Sequence, residues 1–316
     1  MPFGSLGLVS ISFNLKLHVM ITPTKTKVLG KPLLGAMVNY DHLEMLRTNY
    51  RDTRWEFHSN RLGRNDSLSV SFALPIVKEF IQNANTIGAN AVKIYFGVYP
   101  ENFVSRPEFS GLQTIVLVAA REKNGVSKDL YYVNEEGKRT TMSLNLGSMC
   151  PPFCGSTTKI EGTPNDDEVE LITAGAMVDE AHAEELKRNY YLHRHPYNRK
   201  MIGKPDSLSV TFGVKEFAEF VQLIDEHRAD GIRFYFGAYP DYYEELPEFS
   251  ALQTLVAIGT KQTKSSDGWI QKDLILIEEG EEIKSSLNMG SLCPPYCGGT
   301  TKVEGTPYDS EVNNFF

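Results

Sequence analysis

The chain repeats itself once, at an interval long enough for a whole domain. Gly35-Ala36-Met37-Val38 returns 140 positions later as Gly175-Ala176-Met177-Val178. At the same interval Asp66-Ser67-Leu68-Ser69-Val70 returns as Asp206-Ser207-Leu208-Ser209-Val210, and Pro107-Glu108-Phe109-Ser110 as Pro247-Glu248-Phe249-Ser250. Each copy closes on Cys-Pro-Pro-aromatic-Cys, from Cys150 to Cys154 and from Cys293 to Cys297. Solenoid units recur roughly every 20–50 residues, so this spacing reads as a duplicated domain. The reading divides the chain into an arm and linker at 1–34, a first repeat at 35–162, a polar linker at 163–174 and a second repeat at 175–316. Each repeat is large enough for its own core.

Within a copy, hydrophobic spacing gives the order of elements. Leu43, Leu46 and Tyr50 recur at helical intervals over 39–51, as do their counterparts over 179–192. Short strands follow at 67–72 and 207–212, then helices at 74–86 and 214–227, with Pro75 suited to a first turn. The clearest strand is Ala91 to Tyr99, stopped by Pro100; another runs from Leu112 to Ala119, and a hairpin leads to Asp129 to Asn134. Thr157 to Glu161 has the makings of one more short strand. Helices early and a meander late predict an α+β class: two tandem homologous domains, each a mainly antiparallel sheet with helices on one face.

The first 34 residues have no counterpart before the second copy. In them Val9, Ile11, Phe13, Leu15, Leu17, Val19 and Ile21 alternate with residues that are polar but for Met20, the pattern of a half-buried strand. A Thr/Lys-rich connector ties this strand to the repeats. It either serves as an edge strand of the first repeat or adds to the sheet of a neighbouring molecule.

Charge bounds the partners. Residues 1–34 hold four lysines and no acid, whereas residues 171–316 hold 14 basic and 23 acidic side chains. An acidic second half argues against nucleic acid, whose binding needs basic surface. A basic arm beside an acidic repeat favours attraction between copies, so self-association is the expected partnership, with any other protein partner unidentified. No apolar run approaches the length of a membrane helix, and four cysteines do not make a disulfide-built secreted scaffold. A cytoplasmic location follows as the default.

Two features carry candidate chemistry. On the strand at 91–99, Lys93, Tyr95 and Tyr99 lie opposite the apolar Val92, Ile94 and Phe96; Arg233, Tyr235 and Tyr239 repeat the arrangement opposite Ile232, Phe234 and Phe236. That face either packs internally or offers a cation and aromatic rings to a ligand or peptide. The second feature is the cysteines. Cys150, Cys154, Cys293 and Cys297 supply the number of thiolates a structural zinc needs, although Pro151 and Pro152 remove the loop N–H groups that usually hold such sulfurs. Three readings stay open: zinc, a disulfide within each pair, or buried thiols in a rigid proline loop. His193-Arg194-His195 resembles a metal pair, but the first copy has Thr53 and Trp55 there. No nucleophile elbow, phosphate loop, dinucleotide fingerprint or zincin motif is present.

The strand Ile232-Arg233-Phe234-Tyr235-Phe236-Gly237, the following Leu252-Gln253-Thr254-Leu255-Val256, the Asn49-Tyr50 and Asn189-Tyr190 pairs and the closing Cys-Pro-Pro-x-Cys together resemble an uncharacterised family of small proteins common in Bacteroidota. The resemblance covers most of each copy, with Lys93 in place of the family's arginine in the first. It implies a bacterial, cytoplasmic protein and no particular activity. The sequence therefore predicts a non-enzymatic structural or scaffold protein that self-assembles through its repeat surfaces and its arm. The competing classes are a cysteine-centred metal or redox protein and a peptide- or ligand-binding module.

Overall fold

The computed structural model describes residues 34–152, 154, 160–161, 174–265 and 268–297. The arm, with its seven alternating apolar residues, lies outside them. In chain order the elements of the first copy are β1 (Leu34–Val38), α1 (Tyr40–Tyr50), a π turn leading into α2 (Glu56–Leu62), β2 (Ser69–Ala73), α3 (Leu74–Thr86), β3 (Ala91–Val98), β4 (Gln113–Lys123), β5 (Val126–Asp129), β6 (Tyr131–Val133), β7 (Arg139–Thr141), β8 (Ser143–Asn145), β9 (Ser148–Cys150) and β10 (Ile160–Glu161). The second copy gives β11 (Ala176–Val178), α4 (Glu180–His193), α5 (His195–Ile202), β12 (Ser209–Gly213), α6 (Val214–Glu226), β13 (Gly231–Ala238), β14 (Gln253–Ser265), β15 (Gly268–Ile275), β16 (Ile277–Glu278), β17 (Glu281–Glu282) and β18 (Ser286–Cys293).

Local chemistry accounts for the helix starts. Asn39 caps α1, its side chain accepting from the His42 N–H at 3.1 Å, and Asp179 caps α4 in the same way at 2.8 Å. Pro75 occupies the first turn of α3, where its missing N–H costs nothing.

The class is α+β, built on one large antiparallel sheet, but the two copies are not separate domains. The described residues of both copies fall in a single compact unit. Strand β2 of the first copy pairs with β13 of the second, and β12 of the second pairs with β3 of the first. Strand β1 pairs with β18 and β11 with β8. Helix α1 packs on β13, and α4 on β3. Each copy thus builds its opening strand–helix–strand segment into the other's sheet.

The pairing also closes. It runs β8–β4–β3–β12–β18–β14–β13–β2–β9, and β8 and β9 are parted only by Leu146 and Gly147. Unbroken β18 does the same for the second copy, pairing with β14 through its first residues and with β12 through its last. Closure removes the open sheet edges that a flat sheet would leave.

Helices cover both faces of the central strands, not one as the sequence suggested. The apolar face meets α6: Phe217 stacks on Phe234 at 6.2 Å, and Ile224 lies over Gly259, the partner of Ile232. The opposite face is roofed by the exchanged helices. A Cβ at Gly97 would sit 3.1 Å from Leu186 Cβ, and one at Gly237 would sit 3.0 Å from Leu46 Cβ, so glycine is what lets α4 and α1 approach this closely.

Candidate functional site

The roofed face holds the residues expected to bind a ligand, and it is closed to solvent. Lys93 is 1% exposed, Tyr95 3%, Tyr99 1%, Arg233 3%, Tyr235 3% and Tyr239 2%. The expected open binding face is therefore an interior one. Exchange is the physical reason, since the helix that covers each cluster comes from the other copy.

Under α4, the Tyr95 hydroxyl donates to Asp129 Oδ1 at 2.6 Å, and Lys187 of the helix reaches Asp129 at 3.4 Å and Glu184 at 2.8 Å. Lys187 Nζ also stands 4.0 Å from the Tyr95 ring centre, and Lys93 Nζ stands 4.8 Å from it. Burial pushes the Lys93 pKa down, and the Lys187 charge adds to that against the pull of Asp129. For Lys187 burial acts the same way, but Asp129 and Glu184 outweigh it and hold the pKa up. Burial would raise Asp129, yet Lys187 and Lys93 bring it below the usual carboxylate range. Under α1 the second copy repeats the plan with guanidinium groups. Arg233 and the Tyr235 hydroxyl both donate to Asp273, Arg233 donates to the Gln271 carbonyl at 3.0 Å, and Arg47 of the helix lies 5.2 Å from the Tyr235 ring centre.

A second pair of constellations pins the same helices. His182 Nε2 lies 3.1 Å from Asn145 Oδ1, which also accepts from the Tyr99 hydroxyl at 2.8 Å; Asn145 Nδ2 donates to the Ile115 carbonyl at 2.6 Å. His42, Asn288, Tyr239 and Leu255 reproduce these contacts at 3.1, 2.8 and 2.7 Å. Burial lowers the pKa of both histidines, disfavouring the charged imidazolium in these contacts. Sequence reading put these histidines on their helices but passed over Asn145 and Asn288; the repeated Ser-Leu-Asn at 143–145 and 286–288 was the available signal.

Between the copies lies a buried polar axis. Arg54 Nε donates to Asp206 Oδ2 at 2.8 Å, and Arg194 Nη2 donates to Asp66 Oδ2 at 3.2 Å. Each carboxylate uses its other oxygen on two backbone N–H groups, Ser67 and Gln113 for Asp66, Ser207 and Gln253 for Asp206. His58 Nε2 meets Asn198 Oδ1 at 2.7 Å, and Asn198 donates to Gln253 Oε1 at 3.2 Å. The His193-Arg194-His195 segment is thus part of the axis, with Arg194 in an ion pair and His195 Nε2 3.2 Å from the Asp206 carbonyl.

The cysteines are disulfide-bonded within each motif, Cys150 to Cys154 and Cys293 to Cys297. They do not present the four thiolates of a zinc site; the sulfurs have paired with each other. The loops sit where β9 and β18 meet the exchanged strands, with Ser69 opposite Cys150 and Ser209 opposite Cys293. The Cys150 and Cys293 carbonyls accept from Leu68 and Leu208 N–H, both at 2.6 Å. Among the described residues no cluster of histidine, cysteine and carboxylate groups is arranged to hold a metal ion, and no helix is long and apolar enough to cross a membrane. No family model, curated protein or solved structure matches the chain.

Proposed function

We propose that the chain is a non-enzymatic structural or scaffold protein that self-assembles, with strand addition by its N-terminal arm as the contact between molecules. One observation carries this reading: each repeat is completed by elements of a second copy of the same plan. Surfaces of this repeat are therefore already complementary to another repeat, the condition for reuse of a contact between chains. The cation–tyrosine clusters that suggested ligand binding are spent on holding the exchanged helices. The basic arm and acidic second repeat favour head-to-tail attraction. Two disulfides favour an oxidising compartment over the cytoplasmic location that the low cysteine count suggests.

The test is the size distribution of the whole chain and of a variant lacking residues 1–33, the cut placed to spare Leu34 of β1. Light scattering should find a large species for the first and folded monomers for the second. A full-length chain that stays monomeric at high concentration, or a truncation that assembles as well, would refute the reading.

A further inference from the structure

The two copies make one clasp differently. In the first, the Asn90 side chain grips the backbone of Glu122 twice: Oδ1 accepts from its N–H at 2.7 Å, and Nδ2 donates to its carbonyl at 2.9 Å. Asp230 is the counterpart of Asn90, and Gln262 that of Glu122. The strands beside them share a register, Ala91 opposite Ala120 and Gly231 opposite Thr260. Asp230 Oδ2 accepts from the Gln262 N–H at 2.7 Å, as Asn90 Oδ1 does from Glu122. A carboxyl group is planar and has the shape of a carboxamide, so Oδ1 takes the place of Asn90 Nδ2, against the Gln262 carbonyl. Two acceptors meeting there repel unless one of them carries a hydrogen. Asn90 is exposed, whereas Asp230 is only 8% exposed and cannot turn to water. Its Oδ1 is buried without a hydrogen-bond acceptor or donor among the described residues.

We propose that Asp230 closes this clasp as a carboxylic acid, its Oδ1–H donating to the Gln262 carbonyl, and that loss of the proton as pH rises opens it. The clasp sits where the copies meet: the Asp230 carbonyl accepts from the Leu74 N–H of α3 at 2.9 Å, as the Asn90 carbonyl does from Val214 of α6 at 3.0 Å. One junction is thus closed by an amide whatever the pH, and the other is governed by a proton.

The surroundings favour the neutral acid. The charged groups that share a groove of about 500 Å³ with Asp230 are Lys78 and Glu79 of α3, Asp225 of α6, Arg228 of the turn and Lys261 of β14; β2 brings none. Lys78 is paired with Asp225 at 2.8 Å, and Lys261 donates to the Arg228 carbonyl at 2.9 Å. Burial raises the Asp230 pKa and outweighs the Gln262 N–H and the Lys261 charge, which lower it. The folded chain therefore keeps this proton to a higher pH than the unfolded chain does. The clasp stabilises fully below about pH 4, the ordinary aspartate value, and its contribution is lost as pH rises through the folded value. This inference does not depend on self-assembly.

Urea unfolding of the full chain and of Asp230→Asn, at pH 4 and pH 7.5, tests it. Asparagine restores the donor, so the unfolding constant of the variant should be roughly tenfold below wild type at pH 7.5, one hydrogen bond's worth, and within about threefold of it at pH 4. Asp230→Ala removes the charge but supplies no donor, and should not reproduce the gain. A gain for asparagine that is the same at both pH values would overturn the proposal. An equal gain for alanine would do so too, by assigning the effect to relief of a buried charge. Carboxyl-carbon NMR of the unmodified chain gives a reading that needs no variant to fold stably: the Asp230 signal should titrate with a midpoint above about 3.9, and a midpoint at or below that value would overturn the proposal.

Discussion

His58 places a titratable group on the axis between the copies with room for one proton and not two. Its ring is fully buried. Because Asn198 offers Oδ1 at 2.7 Å, Nε2 carries the proton and Nδ1 is left bare, with no hydrogen-bond partner. A second proton on Nδ1 would have no acceptor and would face the Arg194 charge. Burial first, and then Arg194, lower the His58 pKa from 6.5 to about 4. The sign of the consequence is fixed. Between those values the unfolded chain binds a proton that the folded chain refuses, so stability falls as pH drops through 6.5 and the loss is complete below about 4. At pH 4.5 the His58 share amounts to about 2–3 kcal/mol by linkage.

His58→Gln isolates that share, because glutamine keeps an N–H donor at the same distance along the side chain and does not titrate. Urea unfolding of both proteins from pH 7.5 to 4.5 is the assay. The two should differ by less than about 1 kcal/mol at pH 7.5, and the wild type should lose about 2–3 kcal/mol more than the variant on acidification. His42 and His182 also have lowered pKa values and steepen both curves alike. Parallel curves would refute the reasoning and put the axis in contact with water.

Two further outcomes follow from the same architecture. Arg54→Leu leaves the Asp206 carboxylate buried with only backbone donors and should cost about 3–5 kcal/mol in denaturant unfolding. Arg194→Leu should cost about 1–2 kcal/mol less, because Arg194 Nε has no partner to lose; losses below about 1 kcal/mol for both would show that these ion pairs do not hold the copies together. Residues 174–316 expressed alone lack the helix and strands that the first copy supplies, so they should exchange elements with a second molecule and sediment as a dimer. A stable monomer of that fragment would mean that each repeat can complete itself.

Much of the fold was written in the hydrophobic spacing. The second helix of each copy falls at Leu74–Thr86 and Val214–Glu226, close to the ranges read from periodicity, and Ala91–Val98 is the strand its alternation announces. The short strand expected over 157–161 is present as Ile160–Glu161. The first helix ran on further than expected, through a π turn at Arg51–Trp55 into Glu56–Leu62. Its polar composition there hides a buried function, since Arg54, His58 and Ser59 face the axis and not solvent. The strands Leu34–Val38 and Ala176–Val178 were missed because each is short and opens next to a positive-φ glycine, Gly35 or Gly175, which reads as a linker.

What periodicity could not reveal is which copy an element packs against. An alternating strand fixes which side chains share a face, and a helical stripe fixes which face is buried, but both patterns are satisfied equally by a partner within the copy or across it. Two copies of one plan sharpen the ambiguity: His42 against Asn288 and His182 against Asn145 are the same contact chemically whether made within or between repeats. The Lys93 and Tyr95 face looked open for this reason, since the helix that roofs it is more than 80 residues further along the chain. The information that breaks the tie lies where the copies differ. Residue 58 is histidine and its counterpart 198 is asparagine, and the two touch each other at 2.7 Å. A position that contacts its own counterpart lies on a twofold axis. There the two copies need not be alike: histidine as donor and asparagine as acceptor make one good hydrogen bond, whereas two neutral histidines or two asparagines would have to settle which side donates. An asymmetric pair at a position that meets its own counterpart is therefore a trace that exchange leaves in the sequence, and it becomes readable only once the axis has been located.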